Sequence, residues 1–170
     1  MIQKCSLIAV LEVFFKEPTK MHFIREISRE IKLAQTSVRN HVKELKKGNL
    51  IMEKEGKPFK GFVANRENEK FLFYKRAYNL YSLFELRNRI IGVLHPKAII
   101  VFGSYSRGED IEGSDVDVLI LSKIDKKIPV KDIEKKLKKT INIMVVDSLD
   151  RLEKNMRKSA SNGWVIYGGV

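Results

Sequence analysis

Residues 101–118 read VFGSYSRGEDIEGSDVDV, a polar stretch set between two apolar runs, AII before it and LIL after it. Short apolar runs of this kind, bounded by turn residues, read as buried strands. Any fold available to this chain must therefore join two core strands through a polar segment, and the ends of core elements are where sites are built. Within the segment, Gly103 lets the backbone approach a ligand without a Cβ in the way, and Ser104 offers a hydroxyl. The N–H groups that follow, at a helix start, turn positive dipole ends toward an anion, and Arg107 adds a fork of donors suited to phosphate oxygens. Asp115 and Asp117 are two residues apart on the second strand, so both carboxylates leave one face. Like charges held so close need a cation, and hard oxygen donors at this spacing suit Mg²⁺ or Mn²⁺ shared with substrate phosphates. The residues thus predict a pocket for a triphosphate and a divalent ion.

The remainder of the C-terminal part has the elements of a small mixed sheet. PKAIIVF (96–102) and EGSDVDVLIL are strands, PVKDIEKKLKK (129–139) is a basic helix with Val130, Ile133 and Leu137 inward and its lysines in solvent, and INIMVV is a further strand. A helix over 148–160 and a closing strand, GWVIYGG, follow, with Trp164 and Tyr167 in the core or a lid. With these elements in this order, GSYSRGEDIEGSDVDVLIL resembles the G-S-x-x-R-G…S-D-x-D signature of the polymerase-beta-like nucleotidyltransferases, in particular their minimal group, over about residues 93–170. The resemblance implies that Gly103 and Ser104 bind nucleotide phosphates and that Asp115 and Asp117 are catalytic metal ligands. It implies Mg²⁺ or Mn²⁺ as cofactor and an NTP as substrate, and it suggests a protein acceptor or a toxin partner. It also exposes a departure: where the family carries a third acid, this chain has Asn142. An amide can offer a carbonyl oxygen to a metal but neither charge nor a proton-accepting carboxylate. Asp147 is the nearest acid, and strand alternation puts it on the opposite face.

In the first third, Leu7, Ile8, Leu11, Phe14 and Phe15 keep helical spacing until Pro18, and Phe23, Ile24, Ile27 and Ile31 make a second amphipathic stretch. SVRNHVKELKKGN is a third helix with Val38, Val42 and Leu45 inward and Gly48 past its end. Its outward residues, Gln35, Ser37, Arg39, Asn40, Lys43 and Lys47, mix base-reading and phosphate-contacting types. LIMEKEGKPFKGFVAN then reads as a hairpin whose tip carries Lys54, Lys57 and Lys60. Three helices and a basic hairpin resemble the winged helix-turn-helix family over residues 1–66, which implies double-stranded DNA as a partner. Residues 67–94 contain no proline and their aromatic and leucine positions recur at helical spacing, so they read as one long linker helix and a possible homodimer seam.

Composition sets the remaining limits. The net charge of +12 favours polyanions, and the excess lies in the first third: residues 1–66 hold 14 Lys+Arg against 7 Asp+Glu, residues 96–170 hold 14 against 11. One cysteine excludes an internal disulfide, and three histidines without paired spacing argue against zinc. With neither a secretory leader nor a long apolar run, the expected location is cytoplasmic, with no membrane partner. The predicted class is α+β: a winged helix-turn-helix domain (1–66), a linker helix (67–94) and a small mixed-sheet nucleotidyltransferase domain (95–170). The expected function is Mg²⁺-dependent transfer of a nucleoside monophosphate to a hydroxyl. The alternative is a DNA-binding regulator or antitoxin-like protein whose second domain only binds nucleotide or is inactive.

Overall fold

The computed structural model describes residues 5–56 and 59–169, which form two compact units divided between Lys75 and Arg76. The first unit contains helices α1 (Ser6–Lys16), α2 (Ile24–Ile31) and α3 (Gln35–Lys47) and the strands β1 (Ile51–Lys54) and β2 (Gly61–Ala64). Val10, Leu11, Val13, Phe14 and Phe15 of α1 pack inward. The core-facing arc begins later than the spacing predicts, because Ile8 in the first turn is 51% exposed. Val38, Val42 and Leu45 of α3 are buried as expected. The α2–α3 turn is closed by Lys32 in the left-handed region, by the Leu33 N–H donating to the Ser28 carbonyl, and by the Ser28 hydroxyl donating to the Leu33 carbonyl. β1 and β2 pair antiparallel, with Ile51 opposite Ala64, and His22 bridges to Phe62 on the other side of β2.

Residues 67–94 form two helices rather than one. Asn68 caps α4 (Glu69–Ser82) by accepting from the Lys70 and Phe71 N–H groups at 2.9 and 3.1 Å. The helix then tightens: Leu83 N–H reaches back only to the Leu80 carbonyl, and the Ser82 hydroxyl donates to the Asn79 carbonyl and meets the Tyr105 hydroxyl at 2.7 Å. Leu83 is buried at the break, and α5 (Phe84–Leu94) restarts after it. The predicted linker is therefore no separate segment. Its residues through Lys75 belong to the first unit, and those from Arg76 onward help build the second.

The second unit is a mixed four-stranded sheet in the order β5-β4-β3-β6, built from β3 (Ala98–Phe102), β4 (Val116–Leu121), β5 (Ile141–Val146) and β6 (Trp164–Gly168). β3 runs antiparallel to both β4 and β6, and β4 is parallel to β5. One core cluster joins Leu86, Ile90 and Leu94 of α5 with Ile99, Val101, Val118 and Ile120, and adds Ile133 of α7 (Lys131–Leu137). A second joins Ile100 and Leu119, which alternate with those residues, to Ala160 of α8 (Lys154–Ser161), Leu149 and Leu152. Strand alternation thus assigns the sheet's two sides, and burial of this apolar area supplies the main stabilisation. The helix expected over 148–160 is a short 3-10 turn at Leu149–Arg151 followed by α8. Arg89 ties α5 to α7 through a two-pronged contact with Asp132, at 2.5 and 2.7 Å, which lowers the Asp132 pKa to about 2.

Candidate active site

β3 ends at Phe102, directly opposite Asp117 of β4, and the next residue, Gly103, opens the five-residue helix α6 (Gly103–Arg107). Gly103 has φ +74°, and a Cβ built on it would fall 2.6 Å from Asp117 Oδ2. Glycine is required for both reasons: the left-handed conformation penalises any Cβ, and the carboxylate occupies its space. The Ser106 hydroxyl donates to the Gly103 carbonyl at 2.9 Å, fixing the turn, and Ser104 lies one residue further into α6.

Asp115 is exposed just ahead of β4, and Asp117 is half-buried within it. In the parallel pairing of β4 and β5, Asp117 stands in register with Asn142. Asn142 Nδ2 donates to Asp115 Oδ2 at 3.2 Å and to Asp117 Oδ1 at 3.1 Å. The two acids, Asn142 and Gly103 therefore meet in one place. Both carboxylates converge within hydrogen-bonding distance of a single atom, and this geometry, with hard oxygen donors, fits a divalent cation held by Asp115 and Asp117. Asn142 faces that point with N–H donors, so in this conformation it does not act as a metal ligand. Asp147 does not substitute for it. It lies five residues along, just past the end of β5, about 16 Å away at strand spacing, with Oδ1 2.9 Å from Arg151 Nε.

Arg107, expected on phosphate, has Nε 2.7 Å from Glu109 Oε2, and its carbonyl accepts from Arg76 Nε. It is half-exposed, so a bound anion would compete with Glu109 for the guanidinium.

The loop leading to Asp115 is fixed by side chains that the sequence reading passed over. Asp110 is buried, 3.0 Å from Lys139 Nζ, and accepts from Asn79 Nδ2 at 2.8 Å. Lys139 also donates to the Ile111 carbonyl at 2.8 Å and lies 5.9 Å from the centre of the Tyr105 ring. Asn79 donates in addition to the Tyr105 carbonyl. Burial raises the Tyr105 hydroxyl above the usual tyrosine range, so it stays protonated. The sequence pattern places Lys139 in solvent with the other lysines of 129–139; the fold instead largely buries its side chain. Its signal in the sequence, a basic residue after an amphipathic helix, is that of an ordinary solvated face.

In the first unit, Gln35, Arg39, Asn40, Lys43 and Lys47 are exposed on α3, and Ser37 is partly covered. Lys60 faces acids: its Nζ is 2.8 Å from Glu55 and 3.7 Å from Glu53. Lys54 is exposed on β1, and Lys57 lies outside the described residues. Trp164 and Tyr167 are both partly buried on β6, with Arg87 over the Tyr167 ring at 5.2 Å. No helix among the described residues is long and apolar enough to cross a membrane.

Residues 85–162 match the family model described as nucleotidyltransferase domain. No curated protein and no solved structure matches the chain. The matched segment contains Gly103, Asp115, Asp117 and Asn142 together; nucleotidyltransferase domains in general transfer a nucleoside monophosphate from an NTP.

Proposed function

We propose that the second unit is a Mg²⁺-dependent nucleotidyltransferase acting on a hydroxyl acceptor, and that the first unit is a winged helix-turn-helix that binds double-stranded DNA. The observation that carries the enzymatic part is the convergence of Asp115 and Asp117 on one point beside the Cβ-free surface of Gly103, inside a segment matched to the nucleotidyltransferase domain. Gly103 and Ser104 receive the triphosphate tail at the end of β3, and Arg107 releases Glu109 to contact phosphate oxygens. Asp115 and Asp117 hold the divalent ion (Mg²⁺ or Mn²⁺), which when bound supplies charge neutralisation at the phosphates. The acceptor oxygen attacks the α-phosphorus, a new P–O bond forms, the bond to the β-phosphate bridging oxygen breaks, and pyrophosphate leaves. Asn142 cannot take the acceptor's proton, which passes to solvent, so turnover is slow. The acceptor is a hydroxyl of a protein partner, a toxin included.

The DNA reading rests on the closed turn between α2 and α3, the exposed Gln35, Arg39, Asn40, Lys43 and Lys47, and the β1–β2 hairpin beside His22. Lys60, engaged with Glu53 and Glu55, contributes less than Arg39 or Lys43. An apolar surface at Leu80, Tyr81 and Phe84, of which Tyr81 is 66% exposed, supports a homodimer seam at the α4–α5 junction.

Incubation with α-labelled NTP and Mg²⁺ tests the enzymatic part. Label is expected on an acceptor with the wild type and is lost in Asp115→Ala and Asp117→Ala; nucleotide binding with no aspartate-dependent label would favour a nucleotide-sensing regulator. Gel shifts across salt test the DNA part. Arg39→Ala and Lys43→Ala should each lower the logarithmic salt slope by about 0.9 if they neutralise phosphates, and an absent or salt-insensitive shift rejects it.

A further inference from the structure

Asn142 stands where a cation would draw the two carboxylates together, and it does so with a donor group. We infer that Asn142 is a positioning residue that takes a cation's place: its amide ties Asp115 to Asp117 in the metal-free chain, and a divalent ion binds only by displacing that bridge. This rests on the nucleotide-site reading above and adds to it the way the site is held and gated.

The backbone fixes Asn142 at this point. It is in register with Asp117, the Val116 N–H donates to the Thr140 carbonyl at 2.8 Å, and the Ile141 N–H donates to Glu134 Oε1 at 3.0 Å, so the starts of both strands are anchored. Two carboxylates within 3.2 Å of one atom repel each other unless something between them carries positive character. One amide nitrogen has two N–H groups and can serve both acids at once. An aspartate at 142 would have nearly the same shape but add a third negative charge, leaving a site that depends on divalent ions for its cohesion. The asparagine removes that dependence and lowers the affinity for free metal. Nucleotide phosphates, which bring their own negative charge, then become the means by which the ion is retained.

The test uses the full chain and Mn²⁺ alone. Affinity is read by calorimetry and electron paramagnetic resonance, and cohesion by thermal unfolding followed through Trp164 in chelator and in Mn²⁺. Wild type is expected to melt at nearly the same temperature in both. Asn142→Asp should melt several degrees lower in chelator, recover in Mn²⁺, and bind Mn²⁺ at least about tenfold tighter, a gain of about 1.4 kcal/mol. Asn142→Ala, which loses the competing amide but gains no charge, should melt lower in chelator and bind Mn²⁺ more tightly than wild type, though less tightly than Asn142→Asp. Equal Mn²⁺ affinity in wild type and Asn142→Asp, or an unchanged melt of Asn142→Ala in chelator, overturns the inference. If Asn142→Asp fails to fold, the double variant Asp115→Asn/Asn142→Asp restores the count of two acids and an amide; it should fold and melt like wild type in chelator, and a failure there too would overturn the inference. A parallel titration with MgATP separates the two levels: no nucleotide binding by any variant, with the Mn²⁺ pattern intact, removes the transferase reading and leaves the amide bridge standing.

Discussion

Lys139→Met probes the buried pair that holds the loop before Asp115. The substitution keeps the aliphatic stem and removes the charge that sits 3.0 Å from Asp110, whose side chain is 1% exposed. Breaking a buried ion pair from one side costs about 3–5 kcal/mol. Asn79 still donates to Asp110 in the variant, so the loss at pH 7 should be about 3 kcal/mol, the low end of that range. Urea unfolding followed by fluorescence measures this on the second unit alone, because the chain's single tryptophan, Trp164, lies in β6. Adding Asp110→Asn should recover most of the loss, since Asn79 still has an oxygen to meet. A loss below about 1 kcal/mol at pH 7, or one that Asp110→Asn does not relieve, would falsify the account of this pair.

Two further outcomes are expected. The Arg89–Asp132 contact, with Asp132 at about 2 against an ordinary 3.8, stabilises fully above pH 4 and fades as pH falls toward 2. Asp132→Asn should therefore lower the melting temperature at neutral pH, with a gap to wild type that closes between pH 4 and 2 and narrows in high salt. Gly103→Ala should cost about 1–2 kcal/mol for its left-handed backbone and displace Asp117 as well, abolishing Mn²⁺–nucleotide binding. Gly92→Ala, where a Cβ meets nothing within 4 Å, should be neutral or stabilising by up to about 1 kcal/mol, and equal effects at the two glycines would refute the role given to Gly103.

The legible parts of this molecule are those set by short spacing. Two apolar runs with a glycine after the first and a D-x-D opening the second are enough to place Gly103, Asp115 and Asp117 together, because strand period and antiparallel pairing leave few alternatives. Val38, Val42 and Leu45 likewise declare the inner face of α3. The break at Leu83 is invisible at that level: apolar periodicity runs straight through it, and the hydroxyl contact beside it is made with Tyr105, distant in sequence. Asp110, Asn79 and Lys139 escape notice for the same reason. Each looks like an ordinary solvated polar residue until the fold encloses all of them around the loop. The direction in which Asn142 presents its amide is also decided by neighbours on another strand, and composition carries no trace of it.

Parallel pairing of β4 with β5 makes residues 117 and 142 permanent neighbours, whatever happens in the loops between them. An asparagine codon becomes an aspartate codon by a single base change, and the two side chains are close to isosteric. The formal charge of this pocket can thus be reset in one mutational step without repacking the sheet. A lineage carrying this fold therefore has a ready path between a quiescent form and a metal-hungry one, open to selection in either direction.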